Sequence, residues 1–450
     1  MIPVISLLSL KRPSFSLTKF FEKLESLKGS VTVGASILTM VLDPIFAFHN
    51  AQWVLYYVLL QLALVCQPSP YRRLFFLPIL ALTVYTAYST KGGWFDDYFM
   101  ALQWTAYLCI GSDFILLTDV QKELHQLTNS KNGIKHASRW ERICWANSLF
   151  FSFRGVGWAH EPVEALPPHP PLNMTRPQFV LGRLKQAIML FLLHDLANLH
   201  VRANDMFHPD GPGWRSNGWF WQITVVASWG LSVATMLCCL FVLLSMVAVG
   251  LGLSEPNGWP ALMRSPREAY TIRRFWGRAW HQLLRRFVTA HGKYLTQALR
   301  FPRGSNASAY TQLFVAFFVS AIVHYGAEVF ALRNWGGGAL TFFMLQPFAI
   351  VVEDFLIWVG QRMGWNSPAW RYVGYITTLG WFVWVTPIWQ EPLIREGEMA
   401  SVSLPVSLLM GVWKGQWMLP PFPELATTSI VDWYSKNEVA CQSTVTAGIS

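Results

Sequence analysis

A histidine, a glutamate and a serine interrupt one long apolar segment of the sequence. The segment YTQLFVAFFVSAIVHYGAEVFAL (310–332) is long enough to cross a bilayer, and His324 lies near its middle. Glu328 follows His324 by one helical turn and Ser320 precedes it by one, so a helix places all three on one face. Ionisable groups at this depth are costly and usually face a cavity or a partner. His324 is therefore a candidate for proton transfer, and a purely structural hydrogen bond to a neighbouring helix is the alternative.

Arginine, tryptophan and histidine are concentrated in a second stretch, RRFWGRAWHQLLRRF (273–287). At 100° per residue, Trp276 and Trp280 begin an apolar helical face. Another face carries Arg274, Arg278, His281 and Arg285. This pattern predicts an amphipathic helix that lies in the membrane interface, with aromatic rings on one side and arginines on the other. The alternative to a functional role is an interfacial anchor, whose arginines only extend toward lipid head groups.

The composition of the chain indicates a multi-pass membrane protein. Hydrophobic residues make up 53% of the 450 residues, charged residues make up 13%, and the mean hydropathy is +0.31. Such a chain has too few polar side chains for a soluble surface. We therefore predict an all-α fold, a bundle of about eight to ten transmembrane helices. The candidate helices lie near residues 31–48, 51–66, 74–90, 98–117, 179–199, 219–251, 310–332, 338–360 and 370–388.

The distribution of charged residues predicts how the chain is divided and how it is oriented in the membrane. Between Arg264 and Arg303, ten lysines or arginines accompany the single acid Glu268, so the positive-inside rule places this loop in the cytosol. The predicted divisions are a basic N-terminal segment at 1–30, a membrane domain at 31–400 with a cytosolic loop at 252–309, and a C-terminal segment and tail at 401–450. The net charge of +10 then faces the cytosol and anionic lipids, and we expect membrane lipids rather than nucleic acid as partners.

The remaining polar residues favour packing over metal binding. The six cysteines form no CxxC pair and no cluster with histidine at metal-ligand spacing, so we predict neither a metal site nor a disulfide framework. In HDLANLH (194–200) the two histidines are six residues apart and do not face one metal, and Asp195 is expected to serve helix packing or an interhelical hydrogen bond. Glu328, Glu353 and Asp354, acids at membrane depth, are expected either to orient His324 or to pair with loop arginines.

Two motifs together resemble a known family. FWGRAWHQ (275–282) followed by FVSAIVHYGAE (318–328) is similar to the wax-synthase-type branch of the membrane-bound O-acyltransferase superfamily. Further agreeing stretches are SDFILLTDVQKEL (112–124), FRGVGW (153–158), LPPHP (166–170), FLLHDLANL (191–199) and QPFAIVVEDFL (346–356). The resemblance covers roughly residues 100–390 and is closest to acetyltransferases of fungal terpenoid and meroterpenoid pathways. The chain departs from the family pattern at Ala279 and Ala321, two small residues that leave the polar positions intact.

The resemblance implies acyl transfer from a coenzyme A thioester to a hydroxyl. His324 would act as general base on the acceptor hydroxyl, and His281 would donate to the developing oxyanion or orient the donor. Ser320 and Glu328 are candidates for the substrate pocket. Guanidinium groups bind phosphate in bidentate geometry, so arginines are expected at the phosphates of coenzyme A. The candidates for binding coenzyme A are Arg274, Arg278, Arg285, Trp276 and Trp280.

The implied function is O-acetylation of a terpenoid or meroterpenoid alcohol in fungal secondary metabolism, with acetyl-CoA as co-substrate and no permanently bound cofactor. The resemblance also implies an internal tunnel in the helical bundle and a location in the endoplasmic reticulum membrane. Long-chain acyl transfer, which forms wax or sterol esters, is an alternative within the same chemistry. A transporter or lipid-binding membrane protein that uses His324 as a proton relay is an alternative of another class. A transporter usually shows related halves, and the sequence shows none.

Overall fold

The computed structural model describes residues 44–89, 94–127, 134–399, 403–420 and 422. Every regular element in these ranges is a helix, and the only other pairings within them are two isolated bridges, Gln126–Trp158 and Val406–Met418. The predicted all-α fold is confirmed. The predicted basic segment 1–30 and nearly all of the tail beyond residue 420 lie outside the described residues.

The longer helices are numbered in chain order. They are α1 Pro44–Val65, α2 Phe76–Ser89, α3 Trp94–Ser112, α4 Arg139–Phe150, α5 Arg176–Arg202, α6 Trp219–Gly250, α7 Arg285–Ala298, α8 Asn306–Leu332, α9 Ala339–Arg362, α10 Trp370–Arg395 and α11 Leu408–Lys414. Helix α3 continues directly into a π-helical turn, Asp113–Leu117. Two compact units contain these elements. The first comprises the described residues of 44–89 and 104–161, and the second comprises 94–103 and the described residues from 162 onward.

The first unit is held together by buried aromatic rings and one buried glutamine. Tyr56 of α1 stacks on Tyr107 of α3 with the ring centroids 4.8 Å apart, and its hydroxyl donates to the Tyr107 carbonyl at 2.8 Å. Gln121 is 4% exposed, and its Nε2 donates to the carbonyls of Leu64 and Cys66 at 2.6 and 2.7 Å. These bonds satisfy carbonyls at the end of α1 that have no partner within the helix.

In the second unit, α5 and α6 pack along each other. His194 Nδ1 of α5 lies 3.2 Å from Thr235 Oγ1 of α6, and His200 Nδ1 lies 3.1 Å from Ser228 Oγ. The two histidines therefore bond separately to α6, as their spacing predicts, and do not meet at one site.

Three polar side chains of α5 bind the backbone of the segment 403–420. Asp195 Oδ2 accepts from the Leu409 N–H at 2.9 Å, in the first turn of α11. Asn198 and Arg202 donate to carbonyls of the segment at distances between 2.8 and 3.4 Å. Of the two roles predicted for Asp195, the interhelical hydrogen bond is confirmed, since its carboxylate supplies an acceptor for the N-terminus of α11.

The helices α8, α9 and α10 pack in sequence in another part of the second unit, and α7 packs against α8. Two glycines permit close approach at these contacts. A Cβ atom on Gly292 of α7 would lie 3.0 Å from Gln312 Cα of α8, and one on Gly338, directly before α9, would lie 1.8 Å from the Ile388 carbonyl oxygen of α10. A larger residue at Gly338 would force α9 away from α10.

Four of the described helices are long and apolar enough to cross a bilayer. They are Asp96–Leu117, Trp219–Gly250, Asn306–Leu332 and Ala339–Arg362. Each overlaps a predicted span. The predicted span near 31–48 lies largely outside the described residues. The total of eight to ten spans and the internal tunnel stay predictions.

Candidate active site

Residues 272–284, which we call the His281 loop, do not form the continuous amphipathic helix that the sequence periodicity predicts. A short helical turn, Ile272–Arg274, passes into a π-helical turn, Phe275–Ala279, and the backbone is extended at Trp280 (φ −74°, ψ 159°). Regular helix resumes only at Arg285, where α7 begins. The prediction of one helix through this loop is therefore wrong.

Side-chain hydrogen bonds account for the break in the helix. The Trp280 N–H donates to the Phe275 carbonyl at 2.8 Å, which closes the wide turn. Gln282 Nε2 donates to the carbonyls of Trp276 and Trp280 at 3.0 and 2.7 Å, and Arg285 donates to a third carbonyl of the turn at 3.1 Å. In a continuing helix these carbonyls would accept from backbone N–H groups one turn further on. Side-chain donors replace those groups at the carbonyls of Trp276, Gly277 and Trp280, so these three acceptors keep a partner where the chain leaves the helix.

Both tryptophans of the His281 loop contact other aromatic side chains of the protein. Trp276 meets Phe317 of α8 edge-on, with 5.8 Å between the ring centroids. Trp280 stacks on Phe275 at 5.6 Å and lies 5.3 Å from the His281 ring. Trp276 thus packs against the protein core, and Trp280 packs against rings of the loop itself.

His324 of α8 lies among aromatic rings. Its imidazole stacks on Phe343 of α9, with centroids 4.6 Å apart and 11° between the planes, and it meets Trp389 of α10 edge-on at 5.1 Å. The Nδ1 atom is buried, and no described residue gives it a hydrogen-bond partner. The described residues therefore supply no structural hydrogen bond at this atom, which keeps its capacity to exchange a proton or bind a substrate atom.

The fold brings His281 close to His324. The two imidazoles interact electrostatically, so a charge on one is felt by the other. The Nδ1 of His281 is also buried and has no partner among the described residues. Burial lowers the pKa of His281 to about 4, so this ring is neutral at physiological pH. Two histidines from a loop and a helix thus form a pair with open hydrogen-bonding capacity.

The other polar residues of α8 make structural hydrogen bonds. Ser320 Oγ donates to the Ala316 carbonyl at 3.0 Å. Glu328 is fully buried, and its two carboxyl oxygens lie 3.1 and 2.9 Å from the Ala339 N–H, the first residue of α9. An acidic group is favourable at a helix N-terminus, so Glu328 ties the end of α8 to the start of α9. A role for Ser320 and Glu328 in a substrate pocket stays a prediction.

A second carboxyl group, that of Glu398 just after the end of α10, lies near Glu328. Glu398 interacts electrostatically with Glu328, and its Oε2 atom is buried without a partner among the described residues. Burial, together with the Glu328 carboxyl, raises the pKa of Glu398 to about 8. Glu398 is therefore mostly protonated at neutral pH. The sequence gives no sign of this burial, because Glu398 follows an apolar segment in a polar stretch.

Gln346 of α9 is a further polar residue that sequence reasoning missed. It is fully buried, and its Oε1 accepts from Trp276 Nε1 at 3.1 Å and from Trp381 Nε1 at 3.0 Å. Its Nε2 donates to the Phe342 carbonyl at 2.9 Å. The only signal in the sequence is a neutral amide inside an apolar span, next to Pro347. A search for titratable side chains overlooks such a residue.

Comparison with known proteins identifies the family. A sequence profile of the membrane bound O-acyl transferase family matches residues 259–345, a range that contains both the His281 loop and His324. Acetyltransferase ple2 of Rhodocybe pseudopiperita is 36% identical over 370 residues, which are 82% of this chain and 97% of that protein. The chain belongs to the membrane bound O-acyl transferase family.

Two further relatives extend the comparison. Acetyltransferase eriL of Hericium erinaceus is 35% identical over 80% of this chain and 94% of its own length. O-Mevalon transferase macI of Penicillium terrestre is 29% identical over 67% of this chain and 71% of its own length. The resemblance seen in the sequence is confirmed, and with the four apolar helices it makes this protein an acyl-transferring enzyme of the membrane.

The three predicted CoA-binding arginines of this acyltransferase differ in availability. Arg274 forms an ion pair with Glu268 and lies over the Tyr270 ring, 4.5 Å from its centroid. Arg285 donates to carbonyl oxygens of the His281 loop and is thereby engaged. Arg278 makes no hydrogen bond or ion pair with any described residue. Of the three, Arg278 is the one whose guanidinium is free to bind phosphate.

Two acids of α9 hold the start of the His281 loop. Glu353 accepts from the backbone N–H groups of Ile272 and Arg273 at 2.9 and 3.2 Å. Asp354 forms an ion pair with Arg273 and accepts from the Tyr310 hydroxyl at 3.1 Å. Of the two expectations for these acids, pairing with a loop arginine is confirmed for Asp354. Both residues anchor the loop to α9.

Proposed function

We propose that this acyltransferase moves an acetyl group from acetyl-CoA to a hydroxyl of a lipophilic acceptor, a terpenoid or meroterpenoid intermediate of fungal secondary metabolism. The observation that carries the proposal is the histidine pair, His281 and His324, whose Nδ1 atoms are buried and unpartnered among the described residues. The acetyl donor is inferred from the relatives ple2 and eriL, which are named acetyltransferases and match over nearly their whole length.

His324 is the general base in the proposed reaction. It takes the proton of the acceptor hydroxyl as the oxygen attacks the thioester carbonyl of acetyl-CoA. A new C–O bond forms, and the resulting tetrahedral intermediate collapses with cleavage of the C–S bond. The departing thiolate of coenzyme A receives the proton from His324, which restores the neutral imidazole. This series of reaction steps requires no covalent acyl-enzyme intermediate.

His281 is the electrostatic partner in this scheme. A neutral imidazole has one N–H donor, which is suited to the oxyanion of the tetrahedral intermediate. Burial keeps the pKa of His281 near 4, so the ring carries no positive charge at neutral pH. The absence of this charge matters because a cation beside His324 would oppose protonation of the general base.

The two substrates differ in polarity, and the surroundings of the histidines suit both. The phosphates of coenzyme A cannot enter hydrocarbon, and Arg278 offers an unpaired guanidinium for them at the His281 loop. A lipophilic acceptor is suited to the aromatic rings beside His324, including Phe343 and Trp389. We place the reaction in the endoplasmic reticulum membrane, with coenzyme A entering from the cytosol.

The test uses microsomes that contain wild-type enzyme, His324→Ala or His291→Ala. The last variant is a matched control, since His291 Nδ1 lies 2.6 Å from the Phe287 carbonyl within α7 and has no proposed role in chemistry. Each preparation receives acetyl-CoA or palmitoyl-CoA with a panel of terpenoid, sterol and fatty alcohols. We expect mass spectrometry to show acetylated terpenoid with wild-type enzyme and His291→Ala, and none with His324→Ala.

Other results would contradict parts of the proposal. Transfer of palmitoyl in place of acetyl would establish the wax or sterol ester alternative. Near-normal turnover by His324→Ala would remove the general-base assignment. Failure of the correctly inserted wild-type protein to acylate any acceptor would refute the proposed substrates.

A further inference from the structure

Gln346 joins three elements at a single amide group. Its Oε1 receives the indole N–H of Trp276 from the His281 loop and that of Trp381 from α10, while its own backbone belongs to α9. An amide oxygen has two lone pairs, so this atom is fully used. Gln346 has no exposed surface, and loss of its Oε1 atom would remove the acceptor that both indoles use.

On one side, this network reaches His281. Trp276 lies in the π-helical turn that leads into the loop, and its carbonyl accepts from Gln282, the residue directly after His281. A displacement of Trp276 therefore shifts the acceptor that holds the backbone next to His281. The hydrogen bond from Trp276 to Gln346 limits that displacement.

On the other side, the network reaches His324 through α9. Phe343, whose ring stacks on His324, lies in the turn of α9 directly before Gln346, and its ring centroid is 5.9 Å from that of Trp276. Pro347 provides no N–H for the Phe343 carbonyl, so the helix lacks a backbone bond at this turn. Gln346 adds a side-chain bond to the neighbouring Phe342 carbonyl at the same level.

We propose that Gln346 is a positioning residue for acyl transfer, which fixes His281 relative to His324 by accepting hydrogen bonds from Trp276 and Trp381. The inference rests on the proposed function, since it assigns Gln346 to the geometry of that histidine pair. The hydrogen bonds of Gln346 go to Trp276, Trp381 and Phe342, so it acts on the histidines through Trp276 and through the turn of α9 that carries Phe343. Misplacement of catalytic groups by about 1 Å can reduce turnover by about a hundredfold.

Two substitutions separate this role from simple packing. Gln346→Met keeps the length and the apolar volume but removes the acceptor for both indoles. Gln346→Glu is isosteric, and in its protonated form it donates to the Phe342 carbonyl while its carbonyl oxygen accepts from both indoles. Gln121→Met is the matched control, because Gln121 is also a buried glutamine whose amide makes hydrogen bonds, two in its case, but it lies in the first unit.

The first measurement is kinetic and uses the full-length enzyme in microsomes. We expect Gln346→Met to lower kcat per folded protein by about tenfold or more, with the KM for acetyl-CoA changed by less than about twofold. Gln346→Glu should recover most of the rate, and Gln121→Met should lower thermal stability without lowering kcat. A normal kcat in Gln346→Met, or an effect confined to KM, would overturn the proposal.

The second measurement needs no turnover, so it separates failure of this proposal from failure of the proposed function. Diethyl pyrocarbonate modifies neutral imidazoles, and peptide mass spectrometry gives the rate at His281. We expect faster modification of His281 in Gln346→Met than in wild-type protein, and a wild-type rate in Gln346→Glu and Gln121→Met. An unchanged rate in Gln346→Met would refute the positioning role, whatever substrate the enzyme proves to use.

A double-variant comparison tests the route of the effect. If Gln346 acts through the indole of Trp276, then Gln346→Met combined with Trp276→Phe should be no slower than the slower single variant. Multiplicative losses in the double variant would show that the two residues act independently, which contradicts the proposed network.

Discussion

Burial keeps both His281 and Glu398 uncharged, by lowering the pKa of the histidine and raising the pKa of the glutamate. The pKa of His281 falls to about 4 because burial penalises the cation, and the pKa of Glu398 rises to about 8 because burial penalises the anion. Both groups are therefore largely neutral at pH 7. A positive charge on His281 would oppose protonation of His324, and the neutral His281 ring does not.

The lowered pKa of His281 predicts a pH dependence of stability. The ordinary value is 6.5, so between pH 6.5 and about 4 the unfolded chain binds a proton that the folded protein does not. The stabilisation is complete above pH 6.5 and is lost as the pH falls toward 4, by about 3 kcal/mol in total. His281→Asn should show a smaller fall in Tm between pH 7 and pH 4.5 than wild-type protein, measured in detergent. Equal falls in the two proteins would contradict the burial of this imidazole.

Arg278 predicts a kinetic effect of a different kind. Arg278→Ala should raise the KM for acetyl-CoA by about tenfold with little change in kcat, because a phosphate contact remote from the reacting carbonyl is retained equally in substrate and transition state. Arg303→Ala removes the same charge from an exposed site elsewhere in the predicted cytosolic loop 252–309 and should leave both constants near wild type. Similar kinetics for the two variants would indicate that coenzyme A is attracted by the overall positive charge of the loop and not by a specific contact with Arg278.

Among single residues, the sequence predicts the titratable members of the candidate site better than the neutral ones. The position of His324 in an apolar span marks it directly, since a buried ionisable group needs a reason. The open Nδ1 atoms of His281 and His324 and the two bonds to Gln346 depend on neighbours that are distant in sequence. No local pattern specifies them.

The helices and the His281 loop differ in how closely they follow local periodicity. Apolar segments near 219–251, 310–332 and 338–360 are helices with bounds close to the predicted ones, because length and hydrophobicity dominate there. The His281 loop has the spacing of an amphipathic helix but breaks, because Gln282 and Arg285 bind the carbonyls that the helix would use. Side-chain competition for the backbone is invisible to a periodicity argument.

Close helix contact predicts an asymmetric response to alanine at two glycines. Gly338→Ala should lower Tm strongly or prevent folding, because the added Cβ meets the Ile388 carbonyl oxygen and separates α9 from α10. Gly230→Ala in α6 is the control, since no atom lies within 4 Å of its added Cβ, and alanine favours a helix by about 1 kcal/mol. Thermal denaturation of the purified variants compares the two. A stable Gly338→Ala protein would show that the contact of α9 with α10 is looser than described.

The whole molecule combines a membrane-spanning core with an unbalanced distribution of charge. The composition alone predicts the all-α membrane class, and motif order predicts the family. The division into two units, and the binding of segment 403–420 by α5, have no signal in composition because they arise from contacts between distant parts of the chain.

The basic loop predicts the orientation of the enzyme. If the loop is cytosolic and α8 crosses the bilayer once, residues before and after α8 lie on opposite sides. In intact microsomes, Arg303→Cys should gain labelling by a membrane-impermeant maleimide relative to wild-type protein. Trp335→Cys, whose parent residue is 77% exposed beyond α8, should gain labelling only after permeabilisation. The reverse labelling pattern would place the loop 252–309, which contains the His281 loop, on the lumenal side.

The tryptophans beside the two histidines allow ligand binding at the site to be followed by fluorescence. Trp280 lies 5.3 Å from the His281 ring and Trp389 lies 5.1 Å from the His324 ring, so an incoming thioester or alcohol changes the polarity beside at least one indole. Indole fluorescence responds to such changes. Among the 23 tryptophans, the share of Trp280 is isolated by subtracting the spectrum of Trp280→Phe. Ligand arrival beside His281 can then be followed by emission, before any product forms and without an added label.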